Sequence, residues 1–325
     1  MLTLETIRGM ALALGFERVA ATDASPTGAP PPDAHPQALS LEADPRRILP
    51  AARSVLLLAM PYAPYWPRPG EAAVDAYYVA NNRAHENARR LAEEISATGA
   101  QAVMTSSLRV KPLAVRAGLG RMGRNGLVAV GGFGSRVSLQ TIVTDLPLPA
   151  SHEDGGALDA RCDHCHLCEQ ACPTQALRGD GTLDIGRCVR AQPENRPLPE
   201  AMRSMTGGSL LGCDICQRCC PRNALVREAE TPPALAGALD LKRLLSGDYK
   251  ALIPWLGRNN ARKLRLLNRA ALAAANGGRK DLLPELEALR GEPEPLGEHA
   301  AWSAETLKHG DHREIPDAGA ARRSD

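Results

Sequence analysis

Apolar residues in the first 150 positions recur either at helical spacing or in short runs of strand length. The N-terminal ones share one face of a predicted helix: Leu4, Ile7, Met10, Ala11 and Leu14. Gly15 follows, where a helix commonly ends, and a second amphipathic helix is predicted over residues 83–98. Strands are predicted at residues 18–21, 54–60, 101–104, 126–130 and 137–144. Because strands alternate with helices, the pattern indicates an α/β domain over residues 1–150.

The rest of the chain divides into three segments that differ in composition. Residues 151–225 hold every cysteine and have few apolar runs, so we expect them to need ligands in place of a normal core. Residues 226–310 contain leucine-rich helix faces, one of them Leu264, Leu267 and Ala271, and predict a HEAT-like helical domain. Residues 311–325 are polar and predict a disordered tail. The expected fold class is therefore α+β.

Composition narrows the class of protein. Of 325 residues 44% are hydrophobic and 23% charged, and the net charge is +2, as in an ordinary folded protein. A nucleic-acid partner would therefore have to meet a local basic patch. No apolar run is long enough to span a membrane, and the acidic N-terminus does not resemble a secretory signal. We expect a cytoplasmic protein, in which nine cysteines are ligands more often than disulfides.

The cysteine spacing is the strongest chemical signal. Three cysteines two residues apart precede a fourth that is followed by proline, at Cys162, Cys165, Cys168 and Cys172. A second run contains Cys213, Cys216, Cys219 and Cys220, again with proline after the last, and Cys188 lies between the runs. This is the pattern of a protein with two [4Fe–4S] clusters. Two zinc sites are the alternative, although zinc ligands usually come as separated pairs.

In two-cluster ferredoxins the proline-linked cysteine of one run ligates the cluster of the other run. That rule assigns one cluster to Cys162, Cys165, Cys168 and Cys220. The second cluster takes Cys172, Cys188, Cys213 and Cys216. Cys219 is left over, and exchanging it with Cys220 is the alternative assignment.

Two further patterns are weaker. The sequence Gly118-Leu-Gly120-Arg-Met-Gly123 matches a dinucleotide fingerprint, but a helix precedes it and a strand follows, which reverses the required order. A simple helix–strand connection explains it equally well. Residues 257–280 contain seven basic residues and no acid, and the part from Arg258 to Lys280 predicts a basic helix face. This face either binds nucleic-acid phosphates or is only a solvated surface.

These segments together resemble epoxyqueuosine reductases. The resemblance covers residues 45–310 and includes both cysteine runs, Cys188, the stretch from Arg116 to Gly126, and Gly212-Cys-Asp-Ile-Cys216. It implies the cluster assignment above and a base-off cobalamin between the first two domains, for which we predict Asp214 as a contact. It also implies reduction of an epoxide on a modified tRNA base with loss of water, and HEAT-like character for the helical tail.

One departure from the family concerns the proton donor. The family places an aspartate thirteen residues before the Ala-Gly-Leu-Gly segment, and that position is Met104 here. A thioether cannot donate a proton to a departing oxygen, so we predict that His85, Glu86 or Ser106 substitutes, or that the chemistry differs. Three functions remain open: an epoxyqueuosine reductase, a related corrinoid reductase of a small molecule or corrinoid protein, and a two-cluster electron carrier. Each needs an electron donor such as a flavodoxin or ferredoxin.

Overall fold

The computed structural model describes residues 2–28, 39–65, 71–150 and 158–310, so the predicted tail at 311–325 lies outside the described residues. In the first part of the chain, helices α1–α3 span Leu4–Ala13, Ala76–Ser96 and Val110–Arg116. Strands β1–β7 span Arg18–Asp23, Ser54–Pro61, Ala73–Val74, Ala102–Thr105, Arg121–Met122, Val128–Ala129 and Val137–Thr144. All five predicted strands and both predicted helices are therefore present.

Strands β1, β2, β7 and β4 form one sheet in that order, and every neighbouring pair is antiparallel. Strands β2 and β4 run parallel to each other and are joined through α2, but β7 inserts between them. This split β–α–β arrangement explains why the alternating pattern predicts an α/β domain although no two adjacent strands of the sheet are parallel. The overall class, α+β, is confirmed.

The central strand β2 is buried on both faces, as a continuous apolar run predicts. Leu56 and Leu58 face one core, which α1 and α2 cover, whereas Val55 and Leu57 face a second core that includes α3. Gly15 ends α1 with φ of +85°, a conformation that glycine adopts at little cost. Helix α2 begins earlier than predicted because Asp75 caps it, accepting a hydrogen bond from the Tyr77 amide at 3.0 Å.

The glycine-rich segment after α3 is a hairpin. Strands β5 and β6 pair antiparallel, with Arg121 opposite Ala129. A Cβ atom on Gly120 would lie 2.5 Å from the carbonyl oxygen of Ala129, so close strand approach explains this glycine. Helix, turn and strand follow in the order that the sequence indicates, which is the reverse of a dinucleotide-binding unit.

Short elements and a helical stack make up the second half. Through the cysteine segment run α4–α6, at Leu167–Ala171, Glu200–Arg203 and Ile215–Arg218, and β8 at Ser209–Leu211. Helices α7–α12 span Pro233–Ala238, Leu241–Leu245, Ile253–Leu256, Lys263–Asn276, Leu283–Leu289 and Leu296–His309. None of the helices in the described ranges is long and apolar enough to cross a membrane.

The helical core differs from the sequence pattern in two respects. Leu264 is 42% exposed, so the predicted face of Leu264, Leu267 and Ala271 is wrong at its first member. Buried residues lie on most sides of helix α10, so this helix is enclosed by the stack and does not pack along a single apolar face. Strand β8 pairs in parallel with β3 and joins this core through Leu210 and Leu211. The domain boundaries at 150 and 225 and the HEAT-like character remain predictions.

A buried histidine connects the last helix to the centre of the stack. His299 is 3% exposed; its Nε2 accepts a hydrogen bond from the Leu198 amide at 2.9 Å. Its Nδ1 lies 3.0 Å from Oδ1 of Asn268 and must donate to it. Burial, together with nearby Arg203 and Arg269, lowers the pKa of His299 to about 4. Because Nε2 accepts and Nδ1 donates, the two contacts together require the neutral ring with its proton on Nδ1.

We expect the free energy of unfolding to fall as the pH drops from 6.5 towards 4. In the unfolded chain His299 takes up a proton near its usual pKa, whereas in the folded chain its ring stays neutral down to about pH 4. The decrease amounts to about 3 kcal/mol at most. Urea unfolding of His299→Gln followed by circular dichroism should show a flatter pH dependence than the wild type. His309→Gln, at the exposed end of the same helix, should keep the wild-type slope, and equal slopes in all three proteins would contradict the assignment.

Candidate metal centre

All nine cysteines are free thiols in the described structure. Four of them line one cavity beside the segment 123–125: Cys162, Cys165, Cys168 and Cys220. We call these four the outer set, because exposed side chains such as Asp163, His164 and His166 flank them. The proline-linked Cys220 thus lines the same cavity as the first run and Cys219 does not, while the assignment of cluster ligands stays a prediction.

A second group of cysteines lies outside the lining of that cavity. Cys188, Cys213 and Cys216, which we call the inner set, are close enough to influence one another electrostatically. Burial raises the pKa of Cys213 to about 12 and that of Cys216 well above its usual value, so without metal these two thiols hold their protons and metal binding would release them. Burial also raises the pKa of Cys168 in the outer set to about 12. The two sets therefore differ in the exposed residues that flank them and not in the burial of their thiols.

The two remaining cysteines differ in position. Cys172 accepts a hydrogen bond from the Ala176 amide at 3.3 Å, an interaction that stabilises a thiolate ligand. Cys219 interacts with Cys168 of the outer set and Cys216 of the inner set, and so lies between them. Among the residues that the structure describes, no three Cys, His, Asp or Glu side chains converge on one ion. Thiols held apart around a cavity suit a cubane better than a single tetrahedral ion.

A buried polar cluster joins the cysteine segment to the sheet. Arg136, at the start of β7, is 1% exposed and donates to Oδ2 of Asp214 at 3.1 Å and to Oε1 of Gln217 at 3.0 Å. Tyr62, at the end of β2, also donates to Gln217, at 3.1 Å. Arg218 donates to the other oxygen of Asp214 at 2.7 Å. Asp214 therefore has both oxygens engaged by arginines, and its predicted contact with a corrinoid stays a prediction.

The cysteine segment contacts the turn before β7 at a second place, through Asn223. Asn223 accepts a hydrogen bond from the Ser135 amide at 2.8 Å and donates to the Gln217 carbonyl at 2.8 Å. A Cβ atom on Gly134 would overlap Oδ1 of Asn223, so only glycine permits this approach. The turn before β7 and the turn after Cys220 are thus in direct atomic contact.

Charged and aromatic side chains also lie beside the inner set. Asp75 is 8% exposed, and its Oδ2 has no hydrogen-bond partner among the described residues. Burial raises the pKa of this carboxyl, and Asp214 adds to the effect. The Arg190 guanidinium lies 4.8 Å from the ring centre of Tyr77 and its Nε donates to the Tyr78 hydroxyl at 3.2 Å. Sequence reasoning missed Asp75 and Arg190, since neither belongs to a spaced motif.

Met104 lines an open groove of about 660 Å³ between α2 and β4. It lies opposite Ile142 of β7 and packs against the core under α2. His85 and Ser106, two of the predicted substitutes for an acid, line the same groove. Glu86 does not line it, and its hydrogen bond with Arg89 lowers the pKa of this carboxyl, which disfavours Glu86 as the acid. The groove therefore leaves His85 and Ser106 as candidates.

The basic stretch at 258–280 is only partly a surface. Arg265 forms an ion pair with Glu194, and Arg269 donates to the Val189 carbonyl at 3.3 Å, so both point towards the cysteine segment. Exposed members remain, namely Arg258, Arg262, Lys263 and Lys280. The predicted basic helix face is therefore wrong: its central arginines point inward, and of the four exposed residues only Lys263 lies within α10.

Known proteins identify the cysteine segment and the fold. A family model described as a 4Fe-4S double cluster binding domain matches residues 161–223. Two [4Fe–4S] clusters thus fit this segment, in which four of the nine thiols line one cavity. A crystal structure of epoxyqueuosine reductase with an epoxyqueuosine-modified tRNA-Tyr stem loop superposes with a TM-score of 0.76 at 22% identity, covering 97% of this chain and 96% of that one. This likeness shows a common fold.

Sequence relatives extend over most of the chain. The epoxyqueuosine reductase of Lactococcus garvieae is 32% identical over 229 residues, which are 66% of this chain and 62% of that protein. This chain therefore matches somewhat less than two thirds of that relative. The epoxyqueuosine reductase of Pseudomonas aeruginosa is 30% identical over 299 residues, covering 82% of this chain and 80% of the relative. On that identity and coverage, the chain belongs to the epoxyqueuosine reductase family.

Proposed function

We propose that the chain is an iron–sulfur oxidoreductase that acts on a modified base of tRNA, as its relatives' name implies. The observation that carries the proposal is the double-cluster segment held against the sheet by Arg136 and Asp214, in a family named for epoxyqueuosine reduction. Removing the epoxide oxygen as water consumes two electrons and two protons. The protein must therefore admit electrons at the cysteine segment and supply protons at the substrate.

The ligand assignment follows the two sets of cysteines. Cys162, Cys165, Cys168 and Cys220 bind the outer cluster, and their shared cavity supports this assignment. The inner cluster takes Cys188, Cys213 and Cys216 with Cys172 as the fourth ligand. An electron donor of the flavodoxin or ferredoxin type then meets the outer set, since exposed side chains flank it.

Anaerobically purified protein should contain about eight iron and eight sulfide per chain. Cys220→Ser should lose the outer cluster, whereas Cys219→Ser, the adjacent matched control, should keep both. Iron and sulfide analysis with EPR of the reduced protein measures this. If Cys219→Ser loses a cluster and Cys220→Ser keeps both, the assignment of these two cysteines is reversed. Two zinc ions without sulfide would contradict the cluster proposal altogether.

Residues beside the inner set also suit a corrinoid. Asp75 offers a buried carboxylate oxygen that lacks a partner in the described structure, and the amide side chains of a corrinoid are donors for such an oxygen. Lys111 and Arg190 supply donors for its amide carbonyls. When bound, cobalamin would supply a strongly reducing cobalt for chemistry at carbon. The role of these side chains is then to orient the ring beside the inner cysteines.

Proton delivery is where this chain differs from the family pattern. The groove at Met104 has the volume of a small-molecule site, but the methionine side chain has no acidic proton. His85, exposed on α2 in the same groove, is the strongest replacement because imidazolium is an acid near neutral pH. A hydroxyl such as that of Ser106 is a much weaker acid.

We expect slow conversion of epoxyqueuosine by the wild type and faster conversion by Met104→Asp. A correctly placed general acid contributes about 10²–10⁴ in rate. His85→Gln should abolish the residual wild-type conversion, and Glu86→Gln, the neighbouring control, should not. The measurement is nucleoside analysis of tRNA from cells that lack their own epoxyqueuosine reductase. Full restoration of queuosine by the wild type would show that no aspartate is needed at position 104.

The exposed basic residues at the ends of the 258–280 stretch provide the tRNA contact. Arg258, Arg262 and Lys263 are exposed around the start of α10, where phosphates can reach them. Phosphate contacts of this kind release counterions and make binding depend on salt.

Replacing Arg258, Arg262 and Lys263 together with Gln should weaken tRNA binding. The slope of log K against log salt should fall by about one for each phosphate interaction removed, about three in all. Arg290→Gln with Lys308→Gln is the control, because these exposed cations pair with Glu287 and Glu305. If both variants bind tRNA as the wild type does at every salt concentration, this surface does not bind RNA.

A second function is favoured by the methionine itself. An apolar side chain at position 104 suits a reductase whose substrate needs no strong acid, such as a small molecule or a corrinoid protein. Corrinoid content together with absence of salt-dependent tRNA affinity would support this second function over the first. Clusters without any corrinoid would instead indicate an electron carrier.

A further inference from the structure

Three cations from separate elements approach the inner cysteines. Lys111 of α3 donates to the Gly126 carbonyl at 2.7 Å and interacts electrostatically with Cys188 and Cys216. Arg269 of α10 donates to the carbonyl of Val189, the residue after Cys188. Arg190 follows at the next position and lies over the tyrosine rings of α2. Positive charge is therefore concentrated where the inner cluster would bind.

The described hydrogen bonds of these three cations go to neutral groups. Lys111 and Arg269 bind backbone carbonyls, and Arg190 binds a tyrosine hydroxyl. Their charge is thus not cancelled by a bonded carboxylate. Lys111 and Arg269 thus act as donors to backbone oxygens, which their ordinary cationic forms can do.

The cations near the outer cysteines are placed differently. Arg124 forms an ion pair with Glu169 at 2.6 Å. Arg222 and Arg161 both pair with Asp159, at 2.8 and 3.2 Å. Because Arg161 and Arg222 share one carboxylate, two carboxylates offset these three arginines and one positive charge is left, against three cations near the inner set. The outer set therefore experiences a smaller net positive field.

Two carboxyls face the inner set and oppose its cations. Asp214 is bound by Arg136 and Arg218, which compensate its charge. Asp75 remains, but burial raises its pKa and so disfavours its charged form. Counting all of these groups, positive charge still exceeds negative charge around the inner cysteines.

Net charge next to a cluster sets how readily it accepts an electron. A cubane with four thiolate ligands becomes more negative on reduction, so nearby uncompensated cations stabilise the reduced form, most strongly where water is excluded. We propose that Lys111 and Arg269, with Arg190, hold the inner cluster at a higher midpoint potential than the outer cluster. Electrons that enter at the exposed outer set then move inward downhill. This inference rests on the two-cluster part of the proposed function.

Redox titration at pH 7, followed by EPR, tests the proposal on the cluster-loaded protein. Cys188→Ala first identifies which midpoint belongs to the inner cluster. Lys111→Met should then shift that midpoint to a lower value and reduce its separation from the outer one. Lys111→Arg, which keeps the charge, should restore the wild-type separation, and Arg124→Gln should leave the inner midpoint unchanged.

Arg269→Gln tests the proposal independently in case Lys111→Met does not fold. It should lower the same midpoint, and Arg269→Lys should not. Inner midpoints unchanged in both Lys111→Met and Arg269→Gln, or a wild-type inner midpoint below the outer one, would overturn the inference while leaving the two clusters intact. A wild type without clusters would instead overturn the proposed function, so the two failures are distinguishable. Neither result depends on whether the protein reduces epoxyqueuosine.

Discussion

The buried guanidinium of Arg136 is the contact on which the arrangement of the site depends. It emerges from the start of a central strand and binds Asp214 and Gln217, which flank Cys216 in sequence. A charge-assisted bond in a nearly dry position is strong, and removing Asp214 would leave the buried Arg136 guanidinium without this carboxylate. That removal would therefore cost more than the bond itself contributes, whereas removing Arg136 leaves Asp214 bound by Arg218. The pair fixes the inner cysteines relative to the sheet.

The groups around this contact form a gradient from the surface inward. Exposed polar residues and paired arginines surround the outer cysteines, whereas desolvated cations, tyrosines and an unpartnered carboxylate surround the inner ones. Under the proposed function, this arrangement would give a protein donor access to the outer cluster and would place the reduction of the substrate beside the inner one.

The sequence predicts those parts of the molecule that depend on local spacing. The cysteine runs predict a double-cluster segment, and apolar runs such as residues 54–60 and 137–144 predict buried strands, because these signals lie within a few adjacent residues. Arg136, Asp75 and Lys111 carry no such signal, since their roles come from elements distant in sequence that the fold brings together. The inward direction of Arg265 and Arg269 is missed for the same reason: a helical pattern shows which residues share a face, but not what packs against that face.

The missing Cβ of Gly134 limits which residues this position tolerates. Oδ1 of Asn223 lies where a Cβ atom would stand, so any side chain at position 134 would push the turn that follows Cys220 away from β7. Gly134 also has φ of +55°, a conformation that other residues adopt at a cost. A substitution far in sequence from every cysteine would therefore displace the end of the second cysteine run.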